Sequence, residues 1–125
     1  MTERRSYRQV MSRDLPDLLK QGGTLIDIRR PEEWQLTGLV AGSKTLTFFD
    51  QEGQCNPQEW IREMDRLVPE GGTLILICRT GHRTALICEL LVEMTTREVI
   101  YNVTDGIFGW LGEGLPVVPF APISI

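Results

Sequence analysis

Several things are scarce in this 125-residue chain. It has one histidine, His82, and three cysteines, Cys55, Cys78 and Cys88, which build neither a disulfide framework nor a paired metal-ligand spacing. No metal and no cofactor are expected. No stretch of about eighteen uncharged apolar residues occurs, and the polar start Met1-Thr2-Glu3-Arg4-Arg5-Ser6 leads into no apolar signal core, so no membrane association and a cytoplasmic location are expected. There is no basic block either, and a formal net charge of −4 with a pI near 5.0 argues against nucleic acid as a partner.

What is present is an ordinary globular composition, 42% hydrophobic and 24% charged, which fits one domain over residues 1–125 with a core of its own. Residues 1–6 read as a tail. Tyr7 to Val10 predicts a short strand, and Ser12 a cap for a helix through Lys20 that ends at Gly22-Gly23. Thr24 to Ile28 predicts a buried strand, followed by a short helix opened by Pro31. Gly38 to Gly42 reads as a loop, Ser43 to Phe48 as an alternating, more exposed strand, and Asp50 to Gly53 as a turn. Asn56 with Pro57 opens a helix carrying Trp60, Ile61, Met64, Leu67 and Val68 at helical spacing.

Thr73 to Ile77 predicts a buried strand, and Ala85 to Met94 a helix apolar on nearly every side except at Glu89 and Glu93. Val99 to Val103 predicts a last strand and Ile107 to Gly112 a short helix. An extended proline-rich end follows from Gly114, with residues 117–125 as a C-terminal segment. Strands alternating with helices predict an α/β domain, a mostly parallel central sheet flanked by helices on both faces.

Between the fourth of these strands and its helix lies Cys78-Arg79-Thr80-Gly81-His82-Arg83. Ligands of parallel sheets bind beyond the carboxyl ends of the strands, and there the amide dipoles of a helix N-terminus converge on any negative charge the sulfur carries. Charged groups and a glycine turn build an anion cradle and add nothing to a core. Cys78 is therefore the candidate nucleophile, with Arg79, Thr80, Gly81, His82 and Arg83 as candidate substrate-binding residues. Arg83 is expected to brace the loop carbonyls as well as to add charge. His82 is expected to face solvent and tune donor access, since the sequence supplies no residue to orient it.

Asp27 and Arg29, at a neighbouring strand end, read as an ion pair supporting the loop floor. Trp34, Trp60 and Trp110 read as core, and Phe48 and Phe49 as one wall of the pocket. Cys88 lies five residues beyond Arg83, about 7 Å along a helix, too far for a resolving thiol. Cys55, in a polar loop, is the better candidate to act together with Cys78.

Four stretches in order resemble the rhodanese-like domain in its single-domain sulfurtransferase form. They are Asp27-Ile28-Arg29 with Pro31-Glu32-Glu33-Trp34, the weaker Gly38-Leu39-Val40-Ala41-Gly42-Ser43, the loop Cys78-x-x-Gly81-x-Arg83, and Gly106-Ile107-Phe108-Gly109-Trp110 with Gly114-Leu115-Pro116-Val117. In the second stretch Leu39 and Ala41 replace the family's histidine and proline. The resemblance implies the rhodanese-like three-layer fold and a persulfide relay at Cys78. A sulfane sulfur would come from thiosulfate, polysulfide or a persulfide and pass to cyanide or a thiol, a protein acceptor included, in a monomer or homodimer. The resemblance also brings Arg79 to the loop entrance. A carrier or sensor module that acts by docking to a protein partner remains an alternative. So does an arsenate reductase or phosphatase, although the phosphatases use five residues between cysteine and arginine and this loop has four.

Overall fold

A computed structural model describes residues 6–120. The expected frayed start, apart from Ser6, and the last five residues of the extended end lie outside the described residues. Five strands, β1 (Arg8–Val10), β2 (Thr24–Asp27), β3 (Lys44–Thr45), β4 (Leu74–Ile77) and β5 (Ile100–Val103), form one sheet in the order β1-β5-β4-β2-β3, and every pairing in it is parallel. The central strand β4 reads Leu-Ile-Leu-Ile and is buried on both faces, as a strand covered by helices on each side must be.

The side-chain alternation of β4 divides the core. Leu74, Leu76 and Cys78 point to the face covered by α3 (Pro57–Leu67) and α4 (His82–Met94), against Trp60, Met64, Ile87, Cys88 and Leu91. Ile75 and Ile77 point to the other face, against Leu15 and Leu18 of α1 (Leu15–Lys20) and Ile107 and Trp110 of α5 (Gly106–Gly112). A short helix, α2 (Pro31–Thr37), sits at the carboxyl end of β2, tied there by Trp34, whose Nε1–H donates to Asp27 at 3.1 Å. Trp34, Trp60 and Trp110 are all buried, as expected. Helices thus cover both faces of the parallel sheet, the three-layer arrangement expected.

Three expectations are corrected. Ser12 caps no helix: residues 12–14 form a 3-10 turn, and the buried Ser12 donates from its backbone N–H (2.9 Å) and its hydroxyl (2.8 Å) to Asp105. A short polar side chain that suits a cap serves equally as a long-range donor, and here it clamps β1 to the turn before α5. The expected strand over Ser43–Phe48 shrinks to Lys44–Thr45: Leu46 and Phe48 still donate to the Asp27 and Ile28 carbonyls, at 3.0 and 3.1 Å, but the regular ladder has ended as the chain turns to bury Phe48 against Trp60. Helix α4, whose apolar run predicts a largely buried helix, exposes Leu86 and Met94 on the side that carries Glu89 and Glu93.

The C-terminal segment is anchored as far as it is described. Leu39 and Val118 exchange backbone hydrogen bonds of 2.8 and 2.7 Å in an antiparallel bridge, Trp110 Nε1–H donates to Pro116 O at 2.9 Å, and Phe120 packs edge-on to Trp34. The Gly38–Ser43 stretch, which departs from the family at Leu39 and Ala41, is thereby held by the chain's own end.

Candidate active site

Cys78 follows directly on β4, and its sulfur is enclosed, with the residue 1% exposed. The chain then bends through Arg79 and Thr80 to Gly81, the N-cap of α4, whose φ of +90° is a left-handed conformation open to glycine at little cost. That bend turns the Gly81 N–H onto Cys78 Sγ at 3.1 Å. On the inner side Thr84 Oγ1 lies 3.4 Å from the same sulfur. The loop is thus built to bring a donor N–H and a hydroxyl to one atom at the amino end of a thirteen-residue helix.

The rest of the loop is held from below by α5. Ile107 and Phe108 donate their backbone N–H groups to the carbonyls of Cys78 (2.9 Å) and Arg79 (3.1 Å). This contact requires Gly106, at φ +61°, because a Cβ there would fall inside the Arg79 carbonyl. The glycine-rich Gly106–Trp110 stretch and the cysteine loop are therefore two sides of one contact, which is why both are in the chain.

The expected binding residues do not all come together. Arg79 is exposed at the rim, its guanidinium carbon 5.9 Å from the centre of the Phe108 ring. Thr80 and His82 are exposed beside it, and Thr80 Oγ1 lies 3.1 Å from His82 Nδ1. His82 therefore has the orienting partner that the sequence did not reveal. Arg83 departs furthest from expectation: it reaches α2, where its two terminal nitrogens meet both oxygens of Glu33 at 2.9 and 2.7 Å. A bidentate pair of this kind uses the planar fork of the guanidinium, so Arg83 braces α4 against α2 and not the loop carbonyls.

Burial pushes the Glu33 carboxyl up, but the hydrogen bonds and charge of Arg83, with help from the Arg30 amide, outweigh it and hold the group below the ordinary glutamate value. A carboxyl lowered on folding stabilises the fold above its unfolded-state value and loses that contribution as pH falls through its folded one. The urea midpoint of the native protein is accordingly expected to exceed that of Glu33→Gln at pH 6 to 7. The gap should close as pH falls below about 4.

The ion pair of Asp27 and Arg29 exists and is fully buried, at 2.8 Å with exposures of 1% and 0%. It supports α2 and not the floor of the cysteine loop. Arg29 donates to Thr37 Oγ1 at 2.9 Å and Gly38 O at 3.2 Å, while Asp27 also accepts from Trp34. Phe48 lines a hollow of about 350 Å³ together with Thr47, Asp50, Gln54, Cys55 and Asn56, whereas Phe49 packs onto Phe48 at its edge. Cys55 is exposed in that hollow. Cys88 is buried, and burial, followed by the charges of Cys78 and Glu89, pushes its thiol up to about 12. A larger hollow, about 710 Å³, lies at the opposite, amino ends of β4 and β5 and holds none of the candidate residues.

Two polar residues escaped the sequence reading. Thr84 sits in the first turn of α4, directly before the apolar run, and Asn102 within the apolar strand β5, and both are buried, at 0% and 2%. A polar side chain inside an otherwise apolar strand is itself a signal, because the fold does not need it and must satisfy it.

Among the described residues no three His, Cys, Asp or Glu side chains converge to hold a metal ion, and no helix is long and apolar enough to cross a membrane. Residues 12–113 match the family described as Rhodanese-like domain. A solved rhodanese-related protein from Thermoplasma volcanium is 28% identical, superposes with a TM-score of 0.68, and the match covers 90% of this chain and 98% of the other. The polysulfide-sulfur transferase homodimer of Wolinella succinogenes is 24% identical with a TM-score of 0.68 over 92% of this chain and 80% of its own. A Rhodopseudomonas palustris protein described as a possible tyrosine phosphatase is 23% identical, with a TM-score of 0.65 over 90% and 85%. No curated protein matches.

Proposed function

We propose that this chain, which belongs to the rhodanese-like domain family, is a sulfurtransferase that relays a sulfane sulfur through a persulfide on Cys78. The observation that carries this reading is the seat of the Cys78 sulfur, enclosed at the carboxyl end of the central strand with the Gly81 N–H directed at it from 3.1 Å. Cys78 gives up its thiol proton to solvent, and the thiolate attacks the outer sulfur of thiosulfate. The S–S bond of the donor breaks, sulfite leaves with the bonding pair, and Cys78 carries a terminal anionic sulfur. Cyanide or a thiolate then attacks that terminal sulfur, departs as thiocyanate or a new persulfide, and returns Cys78 as thiolate. Dividing the transfer into two displacements is nucleophilic catalysis, and preset amide donors stabilise the charge without reorganising. Arg79 and His82 stand at the rim, where they meet an anionic donor.

The fold is one on which a polysulfide-sulfur transferase is built, so polysulfide stands beside thiosulfate as donor. Against phosphatase or arsenate chemistry stand the short loop and the engagement of Arg83, the arginine that ends it, by the Glu33 carboxylate. A carrier module docking to a protein acceptor uses the same first displacement and differs in turnover. The protein is cytoplasmic in this reading, with no cofactor.

Intact mass before and after thiosulfate or polysulfide, then after cyanide, tests the reading. The expected result is one added sulfur, roughly 32 Da, that is absent from Cys78→Ser and removed by cyanide. No gain from either donor would sink the reading. Many thiocyanate equivalents per chain would mark an enzyme, and saturation at one would mark a carrier.

A further inference from the structure

The buried contacts of Thr84 and Asn102 allow their hydrogens to be assigned. The Asn102 side-chain amide lies 3.3 Å from the carbonyl of Gly81, which can only accept, so its Nδ2 faces that carbonyl. Nδ2 also donates to Gln9 Oε1 at 3.1 Å, and Gln9 Oε1 accepts from Thr104 Oγ1 at 3.0 Å. Oδ1 of Asn102 must then face Thr84, and the contact between Thr84 Oγ1 and Asn102 Oδ1 is a hydrogen bond in which only Thr84 has a hydrogen to give. The Gly81 carbonyl, 3.3 Å from Thr84 Oγ1, is a longer contact for the same hydrogen and already accepts from Asn102 Nδ2 and the Ala85 N–H. With the hydrogen committed to the much shorter contact with Asn102, Thr84 presents lone pairs to Cys78 Sγ, 3.4 Å away. That suits a thiol, whose S–H donates to Thr84. It opposes a thiolate, which has nothing to donate.

We propose that Thr84 and Asn102 govern the reactivity of Cys78 as a two-position hydroxyl switch: Thr84 accepts from the resting thiol while donating to Asn102, and turns its hydrogen from Asn102 to the sulfur when the thiolate forms. Only a rotation about the Thr84 Cβ–Oγ1 bond is needed, and the thiol proton leaves to buffer. The turn gives the sulfur a second donor beside Gly81 but leaves Asn102 Oδ1 without its partner in a buried site, so Asn102 competes with Cys78 for one hydrogen. Thr84 and Asn102 are positioning residues. Asn102 acts as a brake that keeps the unloaded nucleophile in its unreactive form. The switch rests on Cys78 being the nucleophile of the proposed relay.

The test reads Cys78 itself. Alkylation by iodoacetamide, in which the thiolate displaces iodide, is followed at pH 7 by mass in a Cys55→Ser, Cys88→Ala background, so that every added group is on Cys78. Thermal melts of each variant confirm that it is folded. Thr84→Val is expected to slow alkylation roughly tenfold, the worth of one hydrogen bond to a charged group, and Thr84→Ser to restore the native rate. Asn102→Leu, which removes the competing acceptor, is expected to speed alkylation severalfold when Thr84 is present and not when residue 84 is valine. The proposal is overturned if Thr84→Val alkylates at the native rate, if Thr84→Ser does not restore it, or if Asn102→Leu leaves the rate unchanged or slows it equally in both backgrounds. That last pattern is what mere support of the loop would give. Because alkylation needs no sulfur donor, native protein that alkylates with this pattern yet takes no sulfur from thiosulfate or polysulfide would sink the sulfurtransferase reading and leave the switch standing.

Discussion

Substituting Gly81 with alanine is expected to slow sulfur loading at Cys78 about a hundredfold, the cost of moving reacting groups by roughly 1 Å. Two effects combine at this position. Its φ of +90° is strained for any residue with a Cβ, and a Cβ there would overlap the Thr104 carbonyl, so the loop must retreat from β5. The Gly81 N–H is the backbone donor to Cys78 Sγ, and its carbonyl is the acceptor that fixes the Asn102 amide, so retreat disturbs both the sulfur's donor and the Thr84 contact. Loading is followed by intact mass against time, and unfolding in urea separates the loss of rate from the loss of stability. Loading within about threefold of native would mean that the donor N–H contributes little, since one charge-assisted hydrogen bond alone is worth more than that.

Substituting Arg29 with methionine is expected to lower the unfolding free energy by about 3–5 kcal/mol, the range for stripping one partner from a buried ion pair. For a domain whose whole stability is about 5–15 kcal/mol, this brings the fold close to its limit. The size follows from what is left behind. Asp27, 1% exposed, would keep a carboxylate without its countercharge, Thr37 Oγ1 would lose its donor, and the Gly38 carbonyl would keep only the Thr37 hydroxyl of its two side-chain donors. Adding Asp27→Asn is expected to return part of the loss, because it removes the stranded charge yet keeps an acceptor for the Trp34 indole. Urea midpoints of the two variants and the native protein, compared at pH 7, decide it. A loss under about 1 kcal/mol would show that water reaches the pair, as it does for exposed pairs.

These two effects separate the parts of the molecule that could be read from the chain from those that could not. The alternation of apolar strands with helices, the position of Cys78 at a strand's carboxyl end, and the glycine that turns the loop are local features. Each depends on a few consecutive residues, and the structure keeps them. The pairing of Asp27 with Arg29 was also legible, since the two are separated by one residue. What they support was not, because Thr37, Gly38 and Trp34 meet them only when α2 folds back over β2.

Arg83 shows the limit most plainly. In the sequence it is a cation five residues past a cysteine, and nothing nearby says that its fork is taken. Its partner Glu33 lies fifty positions earlier, on a helix that reaches the loop only because β2 and β4 are neighbours in the sheet. Thr84 and Asn102 were hidden for the same reason: one reads as a further polar residue of the loop and the other as an odd polar residue in an apolar strand, until the pairing of β4 with β5 brings Asn102 beneath Gly81.

By itself, then, the order of residues determined the α/β class, the rhodanese-like family and the candidate nucleophile, because periodicity, turn chemistry and a short motif are properties of neighbouring residues. Only the tertiary structure decided which hydrogen-bonding groups face the sulfur, which arginine stays at the rim and which is spent on a carboxylate. Those choices depend on distances between residues far apart in the chain, and such distances exist only once the sheet has formed.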